Sequence, residues 1–362
     1  MLSLNRLDIK NFRNITHAQL ELNTTFNIFC GDNGSGKTSI LEAIYMLGLN
    51  RSFRTRNIQR IIQNNYESLT VFGLITRLGC VPTPIGVEKH RSGKNRLRIN
   101  QHDIDQVAEL AELLPLQIIT PDSHRLLDAG PKYRRQFIDW GLFHVEHSFF
   151  PLWRKLNRIL LQRNAVLKQR FCLEHIKLWD IELIPIVECI NNLRKNYVSK
   201  LSTLFAPILA NFGLTGIYLF YKQGWSEQCE FPEALAISLS KDIELGYTQY
   251  GPHRSDLTIC SDKIAANDVL SRGQQKIVMY ALCLAQGLLL QQETSKTCVY
   301  LLDDLASELD ETLCNKMIDY LITFNSQTFV TGVSSAHLKH FFAAGPNLAQ
   351  MFHVEHGSIS LV

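Results

Sequence analysis

Apolar residues recur every two or three positions over residues 4–12, as Leu4, Leu7, Ile9 and Phe12, and this spacing predicts a strand with one buried face. Residues 18–22 read as a second strand, and Phe26-Asn27-Ile28-Phe29-Cys30 as a buried one. Past a Gly-rich turn, Ile40, Leu41, Ile44 and Leu47 fall on one face of a helix. Residues 71–76, 85–90 and 97–99 predict three more strands, with a turn at 91–95, and from about Val107 the spacing becomes helical. In the middle of the chain Leu183, Val187, Ile190, Arg194, Tyr197, Leu201, Leu204 and Ile208 recur in steps of four and three. That is a heptad seam with one polar break, Arg194, and Pro185 fits it if the helix starts nearby. Leu152, Leu156, Ile159, Leu160 and Leu167 can supply an opposing helix. The pair makes either a short antiparallel arm or part of a plain helical bundle. Beyond Gly213 mixed character returns: strands at 217–221 and 257–260, helices at 232–245 and 277–290, then strand, helix and strand at 299–302, 312–324 and 327–330. The whole pattern predicts an α/β protein.

The Gly-rich turn carries the strongest chemical signal. Gly31-Asp32-Asn33-Gly34-Ser35-Gly36-Lys37-Thr38 fits the phosphate-binding pattern G-x-x-x-x-G-K-[ST] at every fixed position, between a buried strand and a helix. Its glycines let backbone N–H groups converge on phosphate oxygens, and the helix N-terminus adds positive charge. Lys37 can reach the β- and γ-phosphates of ATP, and Thr38 can offer its hydroxyl to Mg²⁺. The strand at 299–302 ends in Asp303 and Asp304. Asp303 is the expected metal-side carboxylate, which leaves Asp304 to face the water that attacks the γ-phosphate. Between these parts Ser271-Arg272-Gly273-Gln274 opens a long apolar helix, with Ser271 where an N-cap belongs.

Composition narrows the class. The chain has 362 residues, 46% of them hydrophobic, and a formal net charge of +3. Two domains are the natural prior, and any binding of nucleic acid must come from local basic clusters. Nine cysteines without a C-x-x-C pair predict reduced thiols in a cytoplasmic protein. The first residues lack a signal-peptide apolar core, and the run at 280–290 is too short to span a bilayer, so no membrane role is expected. The near-copies Phe143-His144-Val145-Glu146-His147 and Phe352-His353-Val354-Glu355-His356 do not have the H-E-x-x-H spacing of a metal site and have no functional account.

A phosphate loop, a distant Ser-x-Gly-Gln helix start and an acidic strand, in that order, resemble the layout of ATP-binding-cassette folds. The chain resembles the RecF family, bacterial recombination-repair ATPases related to SMC heads. The residues that carry this are Asn11-Phe12-Arg13-Asn14, Gly31 to Thr38, Ser52-Phe53-Arg54, Pro131-Lys132-Tyr133-Arg134-Arg135, Gly251-Pro252-His253-Arg254, Leu270 to Lys276, Leu302-Asp303-Asp304 and Ser307-Glu308-Leu309-Asp310. The resemblance implies an ABC-type P-loop ATPase head with mixed sheets and an inserted helical domain, divided as 1–110, 111–213 and 214–362. It also implies that Ser271, Gly273 and Gln274 touch the γ-phosphate bound by a second copy, with 306–310 at the dimer seam. The family's Gly-Pro-His-Arg is usually followed by two acids, where this chain has Ser255-Asp256. Wider cassette ATPases have Glu at the position of Asp304 and a His after the last core strand, where this chain has Thr331 and Ser334.

An Asp base is one methylene shorter than Glu, so slow turnover is expected, as suits an ATP-dependent homodimer that opens on hydrolysis. Candidate DNA contacts are Arg51, Arg54 and Arg56, then Lys89, Arg91, Lys94, Arg96 and Arg98, and Lys132, Arg134 and Arg135. Each cluster can equally be a solvated surface. No element has the character of a base reader, so binding is expected to follow DNA structure rather than sequence. The family resemblance implies duplex or gapped DNA at single-strand junctions, repair of DNA damage within the SOS response, and RecR and RecO as partners that help load RecA. The rival readings are a transporter ATPase subunit, a small-molecule kinase and another SMC-like clamp.

Overall fold

The computed structural model describes residues 2–77, 79–169, 173–262, 264–304, 310–333 and 348–362. Strands β1 (Leu2–Phe12), β2 (Ile15–Glu21) and β3 (Phe26–Cys30) precede helix α1 (Lys37–Leu49). Next come β4 (Ser68–Arg77), β5 (Thr83–His90), β6 (Asn95–Ile99), β7 (His102–Ile104), α2 (Val107–Leu113) and β8 (Leu116–Ile119). A helical stretch holds α3 (Arg125–Asp128), α4 (Pro131–Val145), α5 (Phe149–Lys168) and α6 (Leu173–Asn211). It leads to β9 (Ile217–Lys222), α7 (Phe231–Leu245), β10 (Asp256–Ser261), β11 (Ile264–Ala265), α8 (Ala266–Val269) and α9 (Arg272–Thr294). The last elements are β12 (Val299–Leu302), α10 (Glu311–Thr323), β13 (Thr328–Gly332), β14 (Ala349–Glu355) and β15 (Ser358–Leu361). Two compact units result, one of Met1–Ser123 with Leu290–Val362, the other His124–Leu289. The second unit takes in β9, β10 and β11 along with the helices expected in a 111–213 domain.

In the first unit an antiparallel sheet of order β2-β1-β4-β5-β6-β7 and a second sheet of order β15-β14-β3-β13-β12-β8 share one core. In the second sheet β14, β3, β13, β12 and β8 run parallel, and β15 pairs antiparallel with β14. Helix α1 packs against β1, β4 and β5 and also against β13, and nearly all its residues are buried. A helix apolar on most sides suits a place between two sheets. The parallel strands β3, β12 and β13 are continuous buried runs, as a sheet covered on both faces requires.

Three strands of this sheet differ from the sequence expectation. Leu116-Gln117-Ile118-Ile119 lies in a stretch read as helical, but it pairs residue for residue with Val299-Tyr300-Leu301-Leu302. Four apolar residues are too few for periodicity to tell strand from helix. Strands β14 and β15 were not expected. The repeated pentapeptide ends α4 in its first copy and forms most of β14 in its second. Identical local propensity is here overridden by tertiary pairing.

The second unit packs α5 and α6 together, with α6 also against α4, α7 and β9. Helix α6 starts at Leu173, so Pro185 lies inside it rather than near its start. Burial of Leu183, Ile186, Val187 and Ile190 around Pro185 offsets the missing backbone hydrogen bond. Arg194, the polar break in the heptad seam, is a buried anchor. Its Nε and Nη2 each donate to Asp139 at 3.0 Å, and its Nη1 donates to the Pro252 carbonyl at 2.6 Å and Ser255 Oγ at 2.8 Å. Arg163 of α5, fully buried, joins Asp180, Asp242 and the Thr248 hydroxyl at 2.7–2.8 Å. Gly141 of α4 has no room for a Cβ, which would lie 1.8 Å from the Tyr197 hydroxyl of α6.

Two outcomes follow for stability. Arg194→Leu strands the Asp139 carboxylate and should cost about 3–5 kcal/mol in urea unfolding, whereas adding Asp139→Leu should recover part of that loss. Equal stability of Arg194→Leu and wild type would show that the pair anchors nothing. Burial holds the His253 imidazole down to about 4. Protonation therefore favours the unfolded chain, and this group's stabilisation, complete above about pH 6.5, is lost as pH falls toward 4. His253→Gln should flatten the stability profile in that window relative to wild type, and parallel profiles would contradict the assignment.

Candidate nucleotide site

The loop from Gly31 to Thr38 joins β3 to α1, and its shape is set by contacts only glycine permits. Gly31 has φ 156°, and a Cβ there would lie 2.1 Å from the Val354 carbonyl of β14. Gly34 and Gly36 also have positive φ, and a Cβ on Gly36 would press on the Asn14 amide at 2.9 Å. Two donors from outside the loop hold the Ser35 carbonyl: Asn14 Nδ2 and the Gly357 N–H, each at 2.8 Å. Lys37 is buried and curls over its own loop, Nζ donating to the Gly31 carbonyl at 2.6 Å and the Asp32 carbonyl at 2.8 Å. The Ser35 hydroxyl is buried without a hydrogen-bond partner among the described residues. A positive, N–H-rich loop with an unmet hydroxyl fits a bound phosphate chain.

Asp303 stands at the end of β12, its N–H donating to the Ile119 carbonyl of β8 at 2.9 Å. Its Oδ1 accepts from Thr38 Oγ1 at 2.9 Å and from Thr331 Oγ1 at 2.8 Å. Burial pushes the Asp303 carboxyl up, the Thr331 and Thr38 hydroxyls oppose this, Asp304 adds to it and Arg54 counters it. A hydroxyl and a carboxylate in contact are the two protein ligands that Mg²⁺ takes beside phosphate oxygens and water. Asp304 follows with φ 54°, and its N–H donates to Thr331 Oγ1 at 2.8 Å. Left-handed backbone at a non-glycine residue costs on the order of 1 kcal/mol, and Thr331 holds it in place. Thr331 thus orients both acids, a role sequence spacing could not assign. Ser334 and residues 306–309 lie outside the described residues, and Asp310 caps α10 through the Leu313 N–H at 2.8 Å.

The family-like Asn11-Phe12-Arg13-Asn14 and Ser52-Phe53-Arg54 segments converge on one carboxylate, Glu42, fully buried on α1. Arg13 grips it with Nε at 3.0 Å and Nη2 at 2.7 Å, the Ser52 hydroxyl donates to it, and Arg54 lies 3.8 Å away. With Asn14 also receiving the Ser39 hydroxyl at 3.3 Å, these segments clamp the first turns of the helix that follows the loop.

In the second unit Ser271 and Gln274 form a reciprocal capping box. The Ser271 N–H donates to Gln274 Oε1 at 2.9 Å, and the Gln274 N–H donates to Ser271 Oγ at 3.3 Å. Ser271 and Gly273 are exposed, and no atom lies within 4 Å of where a Gly273 Cβ would be. The start of α9 is therefore an exposed, side-chain-capped helix N-terminus that backbone can approach closely at Gly273.

The expected DNA contacts divide. Arg91 is spent on Tyr66, Gln59, Ile62 and Gln63, Arg134 is bidentate to Asp256, and Arg135 donates to the Ser255 carbonyl. These three hold the fold, a correction that follows from contacts far apart in sequence. Arg96 and Arg98 share an exposed face of β6, each bonding Asp103 at 2.9 Å, and Arg56, Lys94 and Lys132 are exposed. Among the described residues no helix is long and apolar enough to cross a membrane.

A parallel core sheet carrying a phosphate loop, an acidic strand end beside it and a serine-capped helix define an ABC-type ATPase head. The RecF/RecN/SMC N-terminal domain model matches residues 3–360. Proteins called DNA replication and repair protein RecF are similar at full length: 40% identical in Shewanella loihica, over 100% of both chains, and 42% in Escherichia coli, over 99% of this chain and 100% of that one. The chain belongs to the RecF family. A solved structure of the recombination mediator protein RecF with ATP, in the RecFOR pathway, shares the fold with a TM-score of 0.87 at 24% identity, covering 100% of this chain and 98% of that one. An Smc head domain from Pyrococcus furiosus shares it with a TM-score of 0.60 at 17% identity, covering 100% and 96%. A transporter subunit is not favoured by these relatives.

Thr331→Val keeps the side-chain volume but removes both hydrogen bonds to the acidic pair. It should lower stability by about 1–3 kcal/mol and slow ATP turnover, while Thr331→Ser should keep both. Unfolding and turnover like wild type in the valine variant would remove Thr331 from the site.

Proposed function

We propose that this chain is an ATP-dependent DNA-binding switch of recombinational repair and replication-fork maintenance. The observation that carries this is the shared Asp303 oxygen, which joins the phosphate-loop hydroxyl of Thr38 to the acidic strand end. In this reading Gly31, Asp32, Asn33, Gly34, Ser35 and Gly36 wrap the phosphates of ATP with backbone N–H groups. Lys37 exchanges its two loop carbonyls for phosphate oxygens, and Thr38 and Asp303 hold Mg²⁺. The metal supplies charge neutralisation at the β- and γ-phosphates. Asp304 orients water for attack, with the short reach that makes turnover slow. Ser271, Gly273 and Gln274 offer an open helix N-terminus to a γ-phosphate held by a second copy, so that ATP bridges a homodimer. Binding favours the dimer by mass action, and hydrolysis releases it.

The names of the full-length relatives support DNA as the partner, and the RecFOR pathway of the related structure supports RecR and RecO. Loading of RecA at single-strand gaps is what the family resemblance adds to this reading. The exposed row of Arg96 and Arg98 suits a phosphate backbone if Asp103 releases one of them. A cytoplasmic place agrees with this work.

Gapped or duplex DNA should stimulate ATP hydrolysis with no small-molecule acceptor present. Asp304→Asn should retain ATP binding, lose at least tenfold in turnover, and sediment as a dimer with saturating ATP and Mg²⁺. A variant that stays monomeric across a concentration series would defeat the clamp, and indifference of the ATPase to DNA would defeat the switch.

A further inference from the structure

Within the second unit an open cleft of about 560 Å³ is lined by Lys222, Trp225, Tyr247, Tyr250, Arg254 and Asp256, among others. That volume is ordinary for a site that takes one small group. Tyr247 and Tyr250 are 39% and 37% exposed, so both rings reach solvent at the cleft. The Arg254 guanidinium lies 5.5 Å from the centre of the Tyr247 ring. Among the described residues neither Arg254 nor Lys222 has a carboxylate partner, and Asp256 is neutralised by its two bonds to Arg134 at 2.7 and 2.9 Å. The cleft thus presents ring faces together with two uncompensated cations.

Its walls are fixed from behind. A Cβ on Gly224 would lie 2.3 Å from the Gly251 carbonyl, so the two loops that form the cleft press together at bare backbone. Just past Arg254, Ser255 accepts from Arg194 through its hydroxyl and from Arg135 through its carbonyl. The turn Gly251-Pro252-His253-Arg254 therefore buries its anchors and leaves only the Arg254 side chain exposed. These contacts fix the backbone that carries Arg254, and the Tyr247 ring beneath its guanidinium limits where that cation sits, which lowers the reorganisation that a bound partner requires.

Ring faces and neighbouring cations together recognise a planar π-system joined to an anion. Duplex DNA offers the anion but keeps its bases stacked inside, and an acidic peptide has no need of the rings. We propose that this cleft takes one unstacked nucleotide of single-stranded DNA, its base against Tyr247, Tyr250 and Trp225 and its phosphate on Lys222 and Arg254. This rests on the DNA-binding reading above and gives it a site for the single strand at a gap.

The test uses the full chain and an oligothymidylate carrying one 2-aminopurine, at constant salt, with a blunt duplex as the second ligand. Wild type should quench the probe. Tyr247→Leu with Tyr250→Leu should abolish the quench and weaken oligonucleotide binding about tenfold, the loss expected for base stacking. Arg254→Gln should weaken it similarly. The Tyr247→Phe, Tyr250→Phe pair should behave as wild type, and duplex affinity, ATP affinity and the thermal midpoint should stay unchanged in all variants. Oligonucleotide binding equal to wild type in the leucine pair and in Arg254→Gln overturns the proposal and assigns the cleft to a protein segment. A parallel fall in duplex and single-strand affinity also overturns it. If wild type binds neither DNA, the DNA-binding reading itself has failed, whereas duplex binding with an indifferent cleft defeats this inference alone.

Discussion

One oxygen atom organises the nucleotide-binding unit. Oδ1 of Asp303 accepts from Thr38 at the start of α1 and from Thr331 at the end of β13, while the Asp303 backbone is held to β8. That residue thus ties the phosphate loop and β13 through its carboxylate, and β8 through its backbone, to the end of β12. Burial raises its affinity for a proton, so the ionised form depends on the two hydroxyls and on the charge of Arg54. A group held in this way is poised for a cation, which supplies more stabilisation than two hydroxyls can. The neighbouring loop shows the same economy: Lys37 and Ser35 lie buried in it, one on carbonyls it can release and the other with nothing to bond.

The second unit is organised by buried arginines instead. Arg194 joins one carboxylate and Arg163 two, each together with loop groups far apart in the chain, and both arginines are buried. The desolvation cost of such a pair nearly matches its attraction, so it adds little net stability as a pair, while removing one partner strands a buried charge. What Arg194 holds here is the turn before β10, whose exposed residue is Arg254.

Much of this was legible in the chain because nucleotide chemistry is local. The phosphate loop, the two acids and the serine-capped helix are each contiguous, and each appears where its residues predict it. The parts that were not legible depend on pairing across long separations. Arg194 reads as a flaw in a heptad until Asp139, 55 residues away, is beside it. Arg13, Ser52 and Arg54 carry a family resemblance without a reason until Glu42 is seen buried among them, as does Asn14 until it is seen on the phosphate loop. Strand β8 is too short for its period to speak, and one pentapeptide is helix in α4 and strand in β14. The basic residues Arg91, Arg134 and Arg135 resemble a DNA surface in sequence, and carbonyls and carboxylates of the fold claim them in the structure.

The most direct test of the central claim is a double-mutant cycle on Mg²⁺-dependent ATP binding by calorimetry, using Thr38→Val, Asp303→Asn and the pair. If the hydroxyl and the carboxylate hold one ion together, the double variant binds no worse than the weaker single variant, and Mg²⁺ no longer improves affinity in any of the three. Additive losses, with Mg²⁺ still strengthening binding in each single variant, would contradict the account.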